Sequence, residues 1–404
     1  MEKETIVIVG AGMAATRFVE EVLALAPGRY AIHVIGAEPH LAYNRVLLSS
    51  VLTGDIGVDD IVLKPREWWR KNSVEATTGR KVTQLDTAAH IVLLDDGSRV
   101  AYSKLVLATG SHAIRLPIDG ADLPGVHTFR DMQDVAALSR LGASGAKVLV
   151  IGGGLLGLEA AYGLVKRGAR VTLAHVMDRL MERQLDQAGA AILRRLVEEK
   201  GQRVMLQANA ISIRGDECVE GVVFEDGRSI EADAVVFAVG VRPNIELARA
   251  AGLSVNRGVT VDNGLATSDP DIFAIGECAE HRGQCYGLVE PAYEQARVLA
   301  ARFAGKEETY RGSIVATNLK VSGVRVFSAG DFMAQGADSE IVCKDARLGV
   351  YRKLMIDGDR LKGAILVGDA SGASAYLDLI RTGGSIAEIR DELLFEAPQS
   401  RRAA

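Results

Sequence analysis

Cysteine is scarce: the chain has four among 404 residues, at Cys218, Cys278, Cys285 and Cys343. No two are spaced C-x-x-C and none precedes residue 218, which argues against a disulfide framework and fits a reducing compartment. The seven histidines form no H-x-x-x-H pair and no group with the cysteines, so no metal site is expected. Basic side chains (47) do not outnumber acidic ones (52), and the net charge of −5 gives no electrostatic reason for nucleic-acid binding. Long apolar runs are missing too. Ile6–Ala15 follows Glu2-Lys3-Glu4, which is not the basic region of a signal peptide. Val148–Leu158 is split by three glycines and ended by Glu159, too short and broken to cross a bilayer. The expectation is a soluble cytoplasmic chain without a membrane partner.

The length suggests roughly two to four domains. Hydrophobic residues at 48% and charged residues at 25% are the balance of a globular protein. Proline is rare (9) but glycine is frequent (43), and the glycines mark a repeated unit. Thr5–Val9 (TIVIV) is β-rich and runs into Gly10-Ala11-Gly12-Met13-Ala14-Ala15, a helical stretch, and a second apolar run at Ala31–Ile35. Lys147–Ile151 (KVLVI) runs into Gly152-Gly153-Gly154-Leu155-Leu156-Gly157, a helix ending at Lys166-Arg167-Gly168, and the strand Arg170–Ala174. Both are βαβ units opening on a glycine turn. Further runs end in glycine at Leu105–Gly110, Val235–Gly240 and Ile272–Gly276. From about residue 311 the texture changes to shorter strands such as Val350–Ile356 and Leu361–Val367, the pattern of an α+β domain.

A strand, glycine turn and helix bring backbone N–H groups and the positive helix end to a pyrophosphate. In the first unit Ala15 takes the last glycine's place, and Glu38 follows the second strand as an acceptor for ribose hydroxyls. In the second unit the corresponding position is His175. A neutral imidazole would accept from a 2′-hydroxyl and a protonated one would favour a 2′-phosphate, with Arg179 one turn on. No arginine directly follows the strand, which favours NADH and keeps NADPH possible. Two dinucleotide sites in one chain suggest a flavin and a nicotinamide nucleotide.

With Gly10–Ala15, Glu38, Ala108-Thr109-Gly110, Gly152–Gly157 followed by Glu159, Val239–Asn244 (VGVRPN) and Ala266–Cys278 (ATSDPDIFAIGEC), the chain resembles the FAD-dependent pyridine-nucleotide reductases. Their fold is α/β, with two nested Rossmann-like domains for FAD and NAD and a C-terminal α+β domain. The resemblance implies an FAD domain at 1–112 and 242–310, an NAD(P)H domain at 113–241 and an interface domain at 311–404. Tyr43–Ser49, Gly276–His281 and Gly287–Gln295 look most like the flavin part of assimilatory nitrite reductase large subunits and the electron-transfer subunits of assimilatory nitrate reductase. Rubredoxin and ferredoxin reductases are more distantly similar.

On that resemblance Gly10, Gly12, Met13 and Ala14 would hold the FAD pyrophosphate and Glu38 the adenosine ribose. Arg45 would lie by the phosphates or flavin, and Val82 would meet adenine through its backbone. Glu277 would bond the ribityl chain, where most relatives carry aspartate. Ala292 and Tyr293, in Pro291–Gln295, would start a helix aimed at the flavin's pyrimidine edge. Ala108, Thr109, Gly110, Arg130, Gly240 and Gly276 complete the cofactor contacts, with Lys320 approaching the flavin. Gly152, Gly154, Leu155, Gly157 and His175 would hold the nicotinamide nucleotide. Glu159 would stand beside nicotinamide and flavin as the one catalytic side chain. The lysine that some relatives pair with it is replaced here by Ser50.

Disulfide reductases of this group need a cysteine pair after the first βαβ unit and a late histidine. Tyr43–Ser50 holds no cysteine, and no histidine follows His281. Electrons are therefore expected to leave the flavin directly, with Cys278 and Cys285 as ordinary thiols. The scattered cysteines do not make the grouped ligands of an iron–sulfur cluster, so the chain is not expected to reduce nitrite itself. The reading is an NADH reductase that passes hydride to FAD and then single electrons to an iron–sulfur or other metal protein, acting as monomer or homodimer. A reductase serving an oxygenase, or a non-turnover flavoprotein responding to NADH, are the alternatives. Arg66–Lys71 (REWWRK) reads as a solvated helix with inward tryptophans, and Ser400–Ala404 as a frayed tail.

Overall fold

The computed structural model describes residues 3–314, 316–333, 339–391 and 393. The tail Ser400–Ala404 lies outside them. The chain divides into two compact units. The first is residues 1–48, 56–112 and 241–313, and the second is residues 49–55, 113–240 and 314–404.

The first unit is built on a five-stranded sheet in the order Ile272–Ala274, Lys104–Leu107, Glu4–Val9, Tyr30–Gly36, Val74–Thr78, every neighbour parallel. The central strands are largely apolar because a parallel sheet covered by helices buries both faces, whereas the edge strand Val74–Thr78 (VEATT) is not. Ile6, Val7, Ile8, Leu105 and Val106 have no exposed surface. The helix Met13–Leu25 follows the first strand and buries Ala15, Phe18, Val19 and Val22, and it packs on the helix Val289–Phe303. Phe18 and Phe303 meet edge to face at 5.4 Å. Arg66–Lys71 is a short helix with Trp69 buried, its indole Nε1 donating to the Lys64 carbonyl at 3.3 Å.

The second unit repeats the plan with a parallel sheet in the order Arg203–Met205, Arg170–Ala174, Lys147–Ile151, Ala234–Phe237, Val126–Thr128. The helix Leu155–Arg167 ends at Gly168, whose φ of +107° is the left-handed stop that the Lys166-Arg167-Gly168 signal predicts. This unit also holds a five-stranded antiparallel sheet from the last ninety residues. Its order is Ala316–Val321, Val324–Gly330, Arg360–Gly368, Val350–Asp357, Ser339–Asp345, and the helix Ala373–Thr382 lies on it. The fold is thus α/β with a C-terminal α+β part, as the sequence predicts. Among the described residues no helix is long and apolar enough to cross a membrane, and no cluster of His, Cys, Asp or Glu could hold a metal ion.

Candidate functional site

The first glycine turn joins Glu4–Val9 to Met13–Leu25. Gly10 has φ +109°, and a Cβ there would lie 2.1 Å from the Ala108 carbonyl oxygen, so only glycine fits. Gly12 is the residue that precedes the helix, yet no side chain caps the helix and its first turn carries no acid. A Cβ on Gly12 would meet nothing within 4 Å. Two helices of the second unit carry an aspartate cap, whereas Arg66–Lys71, Glu246–Ala250, Val289–Phe303 and Ala373–Thr382 also have no side-chain cap. Asp131 accepts from the Asp134 N–H and Asp186 from the Gly189 N–H, each at 2.9 Å. The Gly12 turn has neither a capping side chain nor a nearby acid, and the space beside it is open, which suits an anionic pyrophosphate.

Residues predicted to surround a flavin nucleotide gather around this turn. Tyr43 donates to Glu38 at 2.7 Å, and Arg45 is ion-paired to the same carboxylate. Val82 opens a strand of a small antiparallel sheet and is buried, opposite Leu94. Thr109 and Asn244 are tied twice: Thr109 Oγ1 donates to the Asn244 carbonyl at 2.9 Å and Asn244 Nδ2 to the Thr109 carbonyl at 2.7 Å. The Asn244 N–H also donates to the Gly110 carbonyl at 2.9 Å. Gly276, at φ +80°, is packed so that a Cβ would sit 3.0 Å from the Ala14 Cβ and 4.0 Å from the Ala292 Cβ. Its N–H is held by Gln295 Oε1 at 2.7 Å. Ser111 donates to Glu277 at 2.7 Å. Tyr293 lies in the second turn of the helix Val289–Phe303, with the Arg17 guanidinium 5.8 Å from its ring centre. The observations fit FAD: a cradle without a cap, an acid at the strand end, and a helix start beside Gly276.

The second turn has the same construction. Gly152 has φ +124° and a Cβ there would lie 2.3 Å from the Ala238 carbonyl oxygen. Gly154 begins the helix without a side-chain cap, Leu155 opens it, and its first turn also lacks acid. Space around a Gly154 Cβ is open to 4 Å. Gly157 is closely packed, its Cβ position lying 1.8 Å from the Gly152 carbonyl oxygen. The residues therefore fit a second dinucleotide. His175 is buried, and both its ring nitrogens are engaged within the protein. Nδ1 accepts from the Gly153 N–H and Nε2 meets Glu182 Oε2, each at 3.0 Å. Gly240, at φ +119°, accepts from the Ile114 N–H at 3.0 Å. The Arg130 N–H donates to Asp134 Oδ2 at 2.7 Å.

Glu159 lies in the second turn of the helix Leu155–Arg167. Desolvation pushes its carboxyl up to about 8, and a hydrogen bond from Ser49 offsets part of that rise. The neighbouring Leu158 carbonyl accepts from Ser322 at 2.9 Å. Lys320 lies in the strand Ala316–Val321 opposite Arg325, and its side chain is outside the described residues. All four cysteines are free. Cys278 is buried with its thiol toward the Leu107 and Ile275 carbonyls, and burial pushes its pKa up. Burial and the Glu280 charge do the same for Cys285. Neither thiol has the depressed pKa of a reactive one.

Sequence reasoning passed over four residues. Asn244 and Tyr43 stand inside motifs that were singled out, without a role. Ser49 is 110 positions from Glu159, and Glu182 sits in a loop with no local pattern.

Two parallel sheets, each ending at an uncapped glycine turn, define an oxidoreductase of the kind that pairs FAD with a nicotinamide nucleotide. Residues 4–298 match the family of pyridine nucleotide-disulphide oxidoreductases, and residues 316–384 match the rubredoxin NAD+ reductase C-terminal domain. The chain belongs to the pyridine nucleotide-disulphide oxidoreductase family. It is similar to the nitrite reductase [NAD(P)H] of Bacillus subtilis (strain 168), 45% identical over 96% of this chain and 48% of that protein. It is similar also to the assimilatory nitrate reductase electron transfer subunit of the same organism, 44% identical over 94% of this chain and 49% of that protein. Among solved structures it matches the ferredoxin reductase for the CYP199A2 system from Rhodopseudomonas palustris. There the TM-score is 0.89 at 27% identity, over 98% of this chain and 100% of that one. The chain thus spans about half the length of the first two relatives.

Proposed function

We propose that this chain is the NADH-oxidising, FAD-carrying part of an assimilatory nitrate or nitrite reductase system, located in the cytoplasm and handing single electrons to an iron–sulfur or other metal centre. The observation that carries the reading is the pair of strand–glycine turn–helix units in which Gly10 and Gly152 take a positive φ that only glycine fits, while Gly12 and Gly154 leave open space before a helix start with no side-chain cap and no acid in its first turn. The similarity to nitrite and nitrate reductase proteins supplies the direction of electron flow.

In this reading the Gly12 turn binds the flavin pyrophosphate, with Met13 and Ala14 continuing the wall. Glu38 accepts from the adenosine ribose, steadied by Tyr43 and Arg45. Val82 lies by the adenine. The Thr109–Asn244 bonds keep the Ala108–Gly110 turn rigid. Glu277 accepts from the ribityl chain, and the helix Val289–Phe303 directs its positive end at the flavin through Ala292 and Tyr293. The Gly154 turn, with Leu155 and Gly157, binds the nicotinamide nucleotide. FAD, when bound, takes up a hydride equivalent and can release electrons one at a time. The transfer needs no protein nucleophile. Glu159, with a pKa near 8, holds its proton at neutral pH and presents a neutral carboxyl to the nicotinamide. Lys320 and Arg130 are assigned to the site on the resemblance alone.

The test is anaerobic mixing of the FAD-loaded chain with NADH, followed by ferricyanide as a one-electron acceptor. Rapid bleaching and rapid reoxidation are expected. Slow bleaching with retained electrons contradicts the proposal and favours an NADH-responsive flavoprotein. A rubredoxin or ferredoxin reductase is the second reading, because residues 316–384 match the rubredoxin reductase C-terminal domain. That match does not separate the two, since the nitrite reductase alignment covers 96% of this chain.

A further inference from the structure

The strand-end acid that commonly reads a ribose 2′-hydroxyl is missing from the second βαβ unit, where His175 stands. A carboxylate reaches the same place by another route. Nδ1 of His175 accepts from the Gly153 N–H at 3.0 Å, so the ring proton must sit on Nε2. Nε2–H then donates to Glu182 Oε2 at 3.0 Å. The loop that carries Glu182 is pinned to the glycine turn a second time, by the Met181 N–H donating to the Gly153 carbonyl at 3.0 Å. Leu180 and Met181 are buried beneath it. Glu182 itself keeps 24% of its side chain exposed. Among the described residues its Oε1 takes no hydrogen bond.

The cation that a 2′-phosphate would need is committed elsewhere. Arg179 donates to the Leu185 carbonyl at 3.2 Å and the Glu182 carbonyl at 3.4 Å, and is ion-paired to Asp178 at 3.0 Å. It braces the loop from behind. Arg183 is exposed and takes no part in the cluster among the described residues.

We infer that Glu182, oriented by His175, is the residue that selects NADH over NADPH: its carboxylate accepts from the adenosine ribose 2′-hydroxyl and repels a 2′-phosphate. His175 is a positioning residue that links the glycine turn to that carboxylate. The inference rests on the proposal that the Gly154 turn binds the nicotinamide nucleotide. A charge-assisted hydrogen bond exchanged for like-charge repulsion is worth about tenfold or more in relative affinity.

The test is calorimetric titration of the full FAD-loaded chain with NAD+ and with NADP+, which reads binding without turnover. Wild type is expected to favour NAD+ by about tenfold or more. Glu182→Gln keeps an acceptor for His175 and removes the charge, and the NAD+/NADP+ affinity ratio should fall by about tenfold. Glu182→Ala should move the ratio the same way and guards against a misfolded first variant. His175→Ala should lower the ratio too, and should add little in the Glu182→Ala background. An unchanged ratio in both Glu182 variants overturns the inference while leaving the nucleotide site standing. So does a wild-type preference for NADP+ that Arg183→Ala abolishes. Binding of neither nucleotide by wild type overturns the site reading and the inference together.

Discussion

At the turn after Glu4–Val9 the strand-end acid is Glu38, held by Tyr43 and Arg45. At the turn after Lys147–Ile151 that place belongs to buried His175, and the acid arrives seven residues later as Glu182. The helices differ at a matching position as well. Seven residues after Gly10 stands Arg17, and seven after Gly152 stands Glu159. Arg17 is ion-paired to Glu21 at 2.6 Å, while Glu159 has a serine hydroxyl for company and carries the burial cost as a raised pKa. The backbone plan is common to both units because the physics of a pyrophosphate cradle demands it. The side chains around the plan differ between the two units.

The sharpest difference lies in packing. Ala15 takes the third glycine's place in the first turn and is fully buried without conflict. Gly157 takes it in the second, where a methyl would press on the Gly152 carbonyl. Gly157→Ala should therefore cost roughly 2–4 kcal/mol, from overpacking that the backbone cannot relieve. The mirror change, Ala15→Gly, should cost about 1 kcal/mol from helix propensity alone. Urea unfolding of the two variants tests the asymmetry, and equal losses would erase it.

Glu159 breaks the comparison through pH. Its folded pKa is raised from an ordinary 4.5 to about 8. Between those values the unfolded chain ionises while the folded one keeps its proton. Its contribution to stability is full below about pH 4.5, declines as pH rises, and is lost above about 8. Glu159→Gln should remove that slope and be more stable than wild type at pH 8.5, by roughly 1–2 kcal/mol once solvent access to a half-buried group is allowed for. Ser49→Ala should move the midpoint upward, since the serine bond lowers the pKa. Denaturation across pH 5–9 reads both.

The smallest effect is expected at the first acid. Tyr43→Phe removes one hydrogen bond to Glu38 and should weaken FAD retention severalfold, about 1 kcal/mol. Dialysis against potassium bromide followed by flavin absorbance measures it.

Much of this was legible in the sequence because its signals are local. A β-rich run, a glycine turn and a periodic helix sit within about 25 residues, and both units fold as they read. The strands expected at Val350–Ile356 and Leu361–Val367 appear as Val350–Asp357 and Arg360–Gly368, largely buried runs on either side of an Asp-Gly turn. The edge strand Ser339–Asp345 is not among the expected strands, since its apolar part is only Ile341-Val342-Cys343, set between Glu340 and Lys344. In the site, Gly10, Gly152 and Glu38 declare themselves by position. The Ser49–Glu159 and Glu182–His175 bonds do not, because each depends on a segment folding back to a place that no spacing encodes.

In the proposed reading, two like-built turns hold two different nucleotides. Gly12 and Gly154 both have extended backbone and open space before an uncapped helix, so aspartate at either place should fold well as an ordinary N-cap while putting a carboxylate where a pyrophosphate belongs. The direct measurement is FAD content together with NAD+ titration for wild type, Gly12→Asp and Gly154→Asp. Gly154→Asp should stay yellow but bind NAD+ about a hundredfold more weakly, while Gly12→Asp should purify folded and colourless. Loss of flavin from Gly154→Asp, or unchanged NAD+ binding in it, would contradict the assignment of the two turns.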